Sequence, residues 1–462
     1  MLSRVTRSSG CFLAHAVIAA SLSLGCGDAP RPNVLVVSID TLRADHLAVY
    51  GYERETAPSL TRLAREGARF ENAYSQSSST VPTHASLFTG RFPFQHGAYH
   101  VGLAVAEDEL TLAELFSQAG YRTFAAASSV RFRGRTGFDQ GFDVFEHFDE
   151  LEKNDRSAAV TTRVLDWVAA QDGPWLGFVH YFDPHQPYAP PEPWRTRWHA
   201  GLARPRPEGT SDYLYFFDAP DKQVPADVLA YLQALYDAEI RFLDVELQRL
   251  FRSLAAEPEG PGTLVVVTSD HGEEFKEHGG LSHSRRLHEE LVRVPLIFWW
   301  PGRISGGTVV SRPAQTVDVL PTLLELARIP RPEGLVGRSR AAEILSSSHP
   351  PENRLAAEPV LAQIGESRWA LTAELDGGRF KYVSRDDAPE RLFDLATDPG
   401  ERRDLLDERP DVVAKLRALA AEIGVGAASG SRATAPGLEP VSEAVRERLR
   451  ELGYVEEAEA AR

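Results

Sequence analysis

Cysteine is nearly missing from this chain of 462 residues: the two present are Cys11 and Cys26. Everything after residue 26 therefore lacks thiols and disulfides, which excludes a thiol nucleophile, a cysteine zinc site and any cofactor made from cysteine. Positive charge is also in deficit. Lys and Arg number 50 against 66 Asp and Glu, a formal charge of −16, so nucleic acid is not an expected partner. No internal repeat is present, and the uncharged run CFLAHAVIAASLSLG (11–25) is too short to cross a bilayer as a stable helix. What remains is ordinary: 43% apolar and 25% charged residues exclude disorder, and the length accommodates one large domain with an appendage, or two domains.

The amino end reads as an export leader, residues 1–25, with Arg4 and Arg7 ahead of the apolar run and small residues closing it. SLGC (23–26) resembles a bacterial lipoprotein cleavage box with Cys26 as the lipidated residue, although Ser23 stands where a branched aliphatic is usual. An ordinary cleaved signal is the alternative. Either way the expectation is an exported protein of the periplasm or cell envelope, with lipid attachment at Cys26 in the first case. Loss of the leader leaves 48 basic against 66 acidic residues, or −18.

From residue 33 short apolar runs alternate with helical patterns, which predicts an α/β fold: a large mixed, mostly parallel sheet sandwiched by helices. NVLVVSID (33–40), GPWLGFVHYFD (173–183), TLVVVTSD (263–270) and VPLIFWW (294–300) read as buried strands. APSLTRLAREGARF (57–70), TLAELFSQAG (111–120) and VLAYLQALYDAEIRFLDVELQRLF (228–251) read as core helices. The catalytic domain is expected over 33–340, followed by a small C-terminal α+β subdomain over 354–423, a linker over 424–437 and a terminal helix over 438–456.

Two predicted strands end in side chains that bind metals, Asp40 on one and Asp270 with His271 on the other, and a third runs into His180, Asp183 and His185. Ligands in open α/β sheets sit beyond the carboxyl ends of the strands. Singly, an Asp in such a place is more often a turn or cap residue. In STVPTHASLFTGR (79–91), Pro82 suits a first helical turn and Gly90 a helix end, placing Thr80 at an amino terminus that welcomes an anion. A simple cap is the alternative.

With these pieces in order, the chain resembles the sulfatase family of the alkaline-phosphatase superfamily from residue 33 to about 455. NVLVVSIDTLRADHLAVYGY (33–52), STVPTHASLFTGR (79–91), FDPHQPYAPP (182–191), VVVTSDHGEEFKEHG (265–279) and RLFDLATDPGERRDLL (391–406) carry the resemblance. It implies metal ligands at Asp40, Thr80, Asp270 and His271, with Thr41 in place of a second aspartate. It also implies catalytic positions at Thr80 as nucleophile, at His84 where the family has arginine, at His185, and at His283 where it has lysine. A Lys-x-His element expected after GYRT is replaced by Ser128 and Val130.

A sulfatase of this family attacks with formylglycine made from cysteine or serine. Threonine is not matured in that way, so no formylglycine is expected and Thr80 would act as an alkoxide. A helix terminus supplies about 0.3–1 kcal/mol toward ionisation, up to ~2 in favourable cases. Zinc lowers the pKa of bound water from about 15.7 to about 7, roughly 12 kcal/mol at ~1.36 kcal/mol per unit. One divalent ion, Zn, Mn, Ca or Mg, is therefore required. His84, His185 and His283 would face the ester, with His185 or His283 protonating the leaving group. The expected partner is a small-molecule, glycan or lipid anionic ester. The expected reaction is hydrolysis of a phosphate or phosphonate ester through a covalent Thr80 intermediate. Sulfate-ester hydrolysis, transfer of a phospho-alcohol to glycan or lipid, and anionic-glycan binding without turnover are the alternatives. His180, Asp183 and His278 could form a second metal site, while Glu273 and Glu274 read as a solvated face and Arg43 as an ion-pair partner of a nearby acid.

Overall fold

The computed structural model describes residues 31–100, 103–134, 136–198, 222–255, 262–346, 359–385 and 388–425; the leader, most of the predicted linker and the predicted terminal helix lie outside the described residues. Eight strands form the main sheet: β1 Asn33–Ile39, β2 Ala68–Phe70, β3 Arg122–Ala127, β4 Val144–His147, β5 Trp175–Tyr181, β6 Thr263–Ser269, β7 Leu296–Trp299 and β8 Thr308–Val310. Their order is β8-β2-β7-β6-β1-β5-β3-β4. Only β7 runs against the rest, pairing antiparallel with both β6 and β2.

Alternation along the central strands explains the sandwich. Val34 and Val36 face one layer, with Phe88, Leu112, Phe116 and Leu320 from α2 (Thr80–Thr89), α3 (Leu112–Gln118) and α6 (Val319–Leu326). Leu35, Val37 and Ile39 face the other, against Leu60, Val164, Tyr231 and Leu243 from α1 (Pro58–Glu66), α4 (Lys153–Val168) and α5 (Ala226–Ala255). A strand buried on both faces must be apolar throughout, and NVLVVSI is. Helix α3 starts as its sequence dictates: Thr111 Oγ1 accepts from Glu114 N, and the Glu114 carboxylate accepts from Thr111 N, a capping box.

The 57–70 segment differs from its predicted continuous helix. Helix α1 ends at Glu66 and ARF becomes strand β2. Gly67 makes the break, because a Cβ there would lie 2.2 Å from the Phe298 carbonyl oxygen.

The C-terminal subdomain is an antiparallel sheet of β9 Val360–Ile364, β10 Arg368–Leu375, β11 Gly378–Ser384 and β12 Arg391–Asp394. Helix α7 (Pro410–Ile423) covers one face through Leu416 on Leu371 and Tyr382. The other face packs Ala370 and Phe393 on Tyr74 and Leu291 of the core. Among the described residues no helix is long and apolar enough to cross a membrane.

Candidate metal centre and active site

Strand β1 lies between β5 and β6, parallel to both, with Ile39 level with Tyr181 and Ser269. That register delivers Asp40 and Asp270 to the same edge. Just past the strand, Thr41 takes φ 56°, a left-handed conformation unusual for a β-branched residue. Its N–H donates to Asp270 Oδ1 at 3.1 Å and its carbonyl accepts from Tyr236 at 2.7 Å. The turn is thus fixed from two sides.

His271 donates Nδ1–H to the Gly272 carbonyl at 2.9 Å, which leaves Nε2 with its lone pair. Nε2 stands 3.4 Å from Asp270 Oδ2 and 3.5 Å from Thr80 Oγ1. Thr80 is the first residue of α2, with Ser79 at the cap position and Gly90 ending the helix at φ 63°. Donor atoms of Asp40, Asp270 and His271 all lie within 4.8 Å of one another.

Both carboxylate oxygens of Asp40, and Oδ2 of Asp270, are buried without a hydrogen-bond donor. Burial, and next the Asp270 charge, push the Asp40 carboxyl well above its usual range. Asp270 is also buried, yet its carboxyl lies below the usual value, with the adjacent His271 ring the leading opposing influence and the Thr41 N–H also donating to it. Two buried acids with open oxygens and one imidazole lone pair form a donor set that fits a divalent cation, since buried carboxylates need a counter-charge.

His180 joins this cluster. Its Nε2 lies 3.4 Å from Asp40 Oδ2, and neither ring nitrogen has a hydrogen-bond partner. Burial lowers its pKa to about 4, so the ring is neutral. Asp183 and His278 are elsewhere. Asp183 accepts from Ser157 at 2.5 Å, and His278 bonds Glu290 at 2.7 Å near the C-terminal subdomain. The second metal site expected from His180, Asp183 and His278 is therefore not assembled.

His84 needs a further correction. Nδ1 donates to the Thr80 carbonyl at 2.8 Å and Nε2 accepts from Ser38 Oγ at 2.9 Å. Burial lowers its pKa to about 3. With both nitrogens engaged within the protein, His84 braces the first turn of α2 instead of facing an ester.

His185 and His283 do meet, with ring centroids 5.0 Å apart, and His283 lies 4.4 Å from His271. His185 Nδ1 bonds the Gln186 carbonyl at 2.7 Å, and burial followed by the charge of His283 depresses its pKa strongly. His283 Nδ1 bonds Glu273 Oε1 at 2.9 Å, while Tyr188 donates to Glu273 Oε2 at 2.8 Å. Glu273 and Glu274 are thus buried, not solvated; Glu274 accepts from Arg286 and Gly280 N. Arg43 pairs as expected, with Asp45 and Glu277 at 2.7 Å each.

The sulfatase family model matches residues 32–329, and the model for the N-sulphoglucosamine sulphohydrolase C-terminal region matches 276–423. The chain belongs to the sulfatase family. Among its relatives, an uncharacterized sulfatase of Escherichia coli is 27% identical over 82% of this chain and 84% of its own length. The choline-sulfatase of Rhizobium meliloti is 26% identical over 82% and 83%. A solved structure in complex with its substrate, D-glucosamine-2-N,6-O-disulfate, has a TM-score of 0.73 at 18% identity, covering 87% of this chain and 100% of that one. The phosphonate monoester hydrolase of Agrobacterium radiobacter has a TM-score of 0.70 at 22% identity, over 85% and 96%.

This sulfatase-family protein is an ester hydrolase of the alkaline-phosphatase superfamily, whose sulfatase members are metal-dependent. Two residues beside the cluster, Glu273 and Arg131, escape a motif reading. Glu273 was hidden by two adjacent glutamates that look alike in sequence. His180, read from the sequence as a possible ligand of a second metal, lies instead within strand β5 beside Asp40. Arg131, buried in RFR, acts electrostatically on Asp40; it stands three residues beyond the position where gap-free counting expects a cation.

Proposed function

We propose that the protein hydrolyses a phosphate or phosphonate ester with Thr80 as nucleophile. The observation that carries this reading is Thr80 Oγ1 at 3.5 Å from His271 Nε2, beside acids whose buried oxygens have no donors. Asp40, Asp270 and His271, with Thr80, would hold one divalent cation. Such a cation supplies the charge that lowers the proton affinity of the threonine hydroxyl and polarises a non-bridging ester oxygen.

The remaining chemistry belongs to the chain. Thr80 Oγ1, its proton lost to solvent, forms the bond to phosphorus as the bond to the leaving oxygen breaks. His283, anchored through Nδ1 by Glu273, passes its Nε2 proton to that oxygen. Water then attacks the Thr80 ester, gives a proton to His283 and releases Thr80. His185, neutral through burial, donates no proton and shapes the wall beside His283. Arg131 supplies fixed positive charge.

Sulfate esters are the second reading, favoured by the family match. Export and lipid attachment at Cys26 complete the proposal and rest on the composition of residues 1–26. The test compares wild type with Thr80→Ala on bis-aryl phosphodiester, aryl phosphomonoester and aryl sulfate. The expected result is phosphodiesterase activity that collapses in the variant while bound metal persists. Equal rates in the two proteins reject Thr80 as nucleophile.

A further inference from the structure

A cavity of about 290 Å³ lies between the core and the C-terminal subdomain, lined from both, and none of the residues assigned to Thr80 chemistry forms its wall. Its size is at the lower end of ligand pockets, ~300–1,000 Å³. Each acid in the wall already has an ion-pair partner, Arg43 serving two of them. Asp45 and Glu277 pair with Arg43, Glu289 with Lys381 and Glu290 with His278.

Three cations in the wall are left over. Arg293, Arg379 and Arg402 have no carboxylate in ion-pair distance among the described residues. Arg293 donates to the Glu71 carbonyl at 2.8 Å and Arg402 to the Glu277 carbonyl, acceptors that carry no charge, and the carboxylate that feels Arg293 is Asp45, which is paired with Arg43. The Nε atoms of Arg293 and Arg379 are buried and lack any hydrogen-bond acceptor. Arg293 is the strand partner of Tyr74, and both guanidinium charges act on the Tyr74 hydroxyl. A buried guanidinium N–H without an acceptor costs free energy, and the guanidinium fork matches tetrahedral oxyanions.

We propose that this cavity is a second anion site, in which Arg293 and Arg379 bind a sulfate or phosphate group from opposite sides of the core–subdomain boundary, with Arg402 at the mouth. The oxyanion is either a free inorganic ion or an ester group carried on a single sugar. The site stands apart from the Thr80 reaction and does not depend on it.

Calorimetry on the metal-loaded full chain tests this with sodium sulfate, sodium phosphate and glucosamine 6-sulfate, against chloride at equal ionic strength. To separate the cavity from the metal cluster, the titrations are repeated on Asp40→Asn/Asp270→Asn. Oxyanion binding that persists in that variant, and weakens by about 10-fold or more in Arg293→Gln/Arg379→Gln, supports the proposal. Tighter binding of glucosamine 6-sulfate than of the inorganic ions identifies a sugar ester as the ligand, and equal binding identifies the free ion. Circular dichroism controls for folding, and if the double variant does not fold, exposed Arg402→Gln should still weaken binding severalfold. The proposal is overturned if every oxyanion signal disappears in Asp40→Asn/Asp270→Asn, or if the folded arginine variants bind as wild type does.

Discussion

Asp40 and Asp237 are equally buried, yet one is starved of partners and the other is saturated. Asp237 receives His46 at 2.7 Å, Tyr52 at 2.7 Å and Arg54 at 2.8 Å. Asp40 has no hydrogen-bond donor on either oxygen. Two of the three donors to Asp237, His46 and Tyr52, come from the same NVLVVSIDTLRADHLAVYGY stretch that carries Asp40, so one motif holds an acid without donors and part of the scaffold that positions the loop after it. Burial alone does not mark a site. What sets Asp40 apart is that both of its buried oxygens lack a donor.

The comparison breaks most visibly at Thr80. If Asp40 and Asp270 exist to serve that hydroxyl, Thr80→Ala should lower turnover by about 10⁶-fold, the loss seen on removing a hydrolase nucleophile, while emission spectrometry still finds metal retained by Asp40, Asp270 and His271. Stability should then separate the two acids by sign. Asp237→Ala leaves His46 and Arg54 without their acceptor and should cost roughly 3–5 kcal/mol. Asp40→Asn removes a charge that burial disfavours, so in chelator its denaturant midpoint should equal or exceed that of wild type. A lower midpoint would mean that Asp40 is a structural acid.

Glu273→Gln should reduce kcat by roughly 10–100-fold, as for groups that orient a reacting side chain, with metal content intact; an unchanged rate removes His283's anchor from the mechanism. The smallest effect concerns pH. Burial lowers the His96 pKa to about 3, so the unfolded chain binds a proton that the folded chain refuses below about 6.5. This group's stabilisation is complete above that pH and is lost as pH falls toward 3, at up to ~1.4 kcal/mol per pH unit. His96→Gln should lose less stability than wild type between pH 7.5 and 5.0 in urea unfolding. Parallel losses would contradict the assignment.

Much of this was legible before any coordinate. Periodicity located the central strands because they are apolar on both faces, and strand ends located Asp40 and the Asp270–His271 pair because parallel strands share an edge. Thr80's place at a helix start followed from Pro82 and Gly90. The partners of Glu273 were not legible: Tyr188 lies 85 residues away, and only tertiary packing distinguishes Glu273 from an exposed acid. His84 was misread for a related reason. Its role depends on Ser38, contributed by β1, which no local pattern reveals. The break at Gly67 likewise depends on the approach of the Phe298 carbonyl.

The central claim is that Thr80 Oγ1 becomes covalently esterified during turnover. Rapid acid quench of the metal-loaded enzyme with a bis-aryl phosphodiester, followed by peptide mass spectrometry, tests it directly. The account predicts an aryl-phosphoryl ester on Thr80, which keeps the second aryl group, in the peptide that contains residues 79–91, absent in Thr80→Ala. Steady turnover with Thr80 unmodified, or an adduct on another side chain, would contradict it.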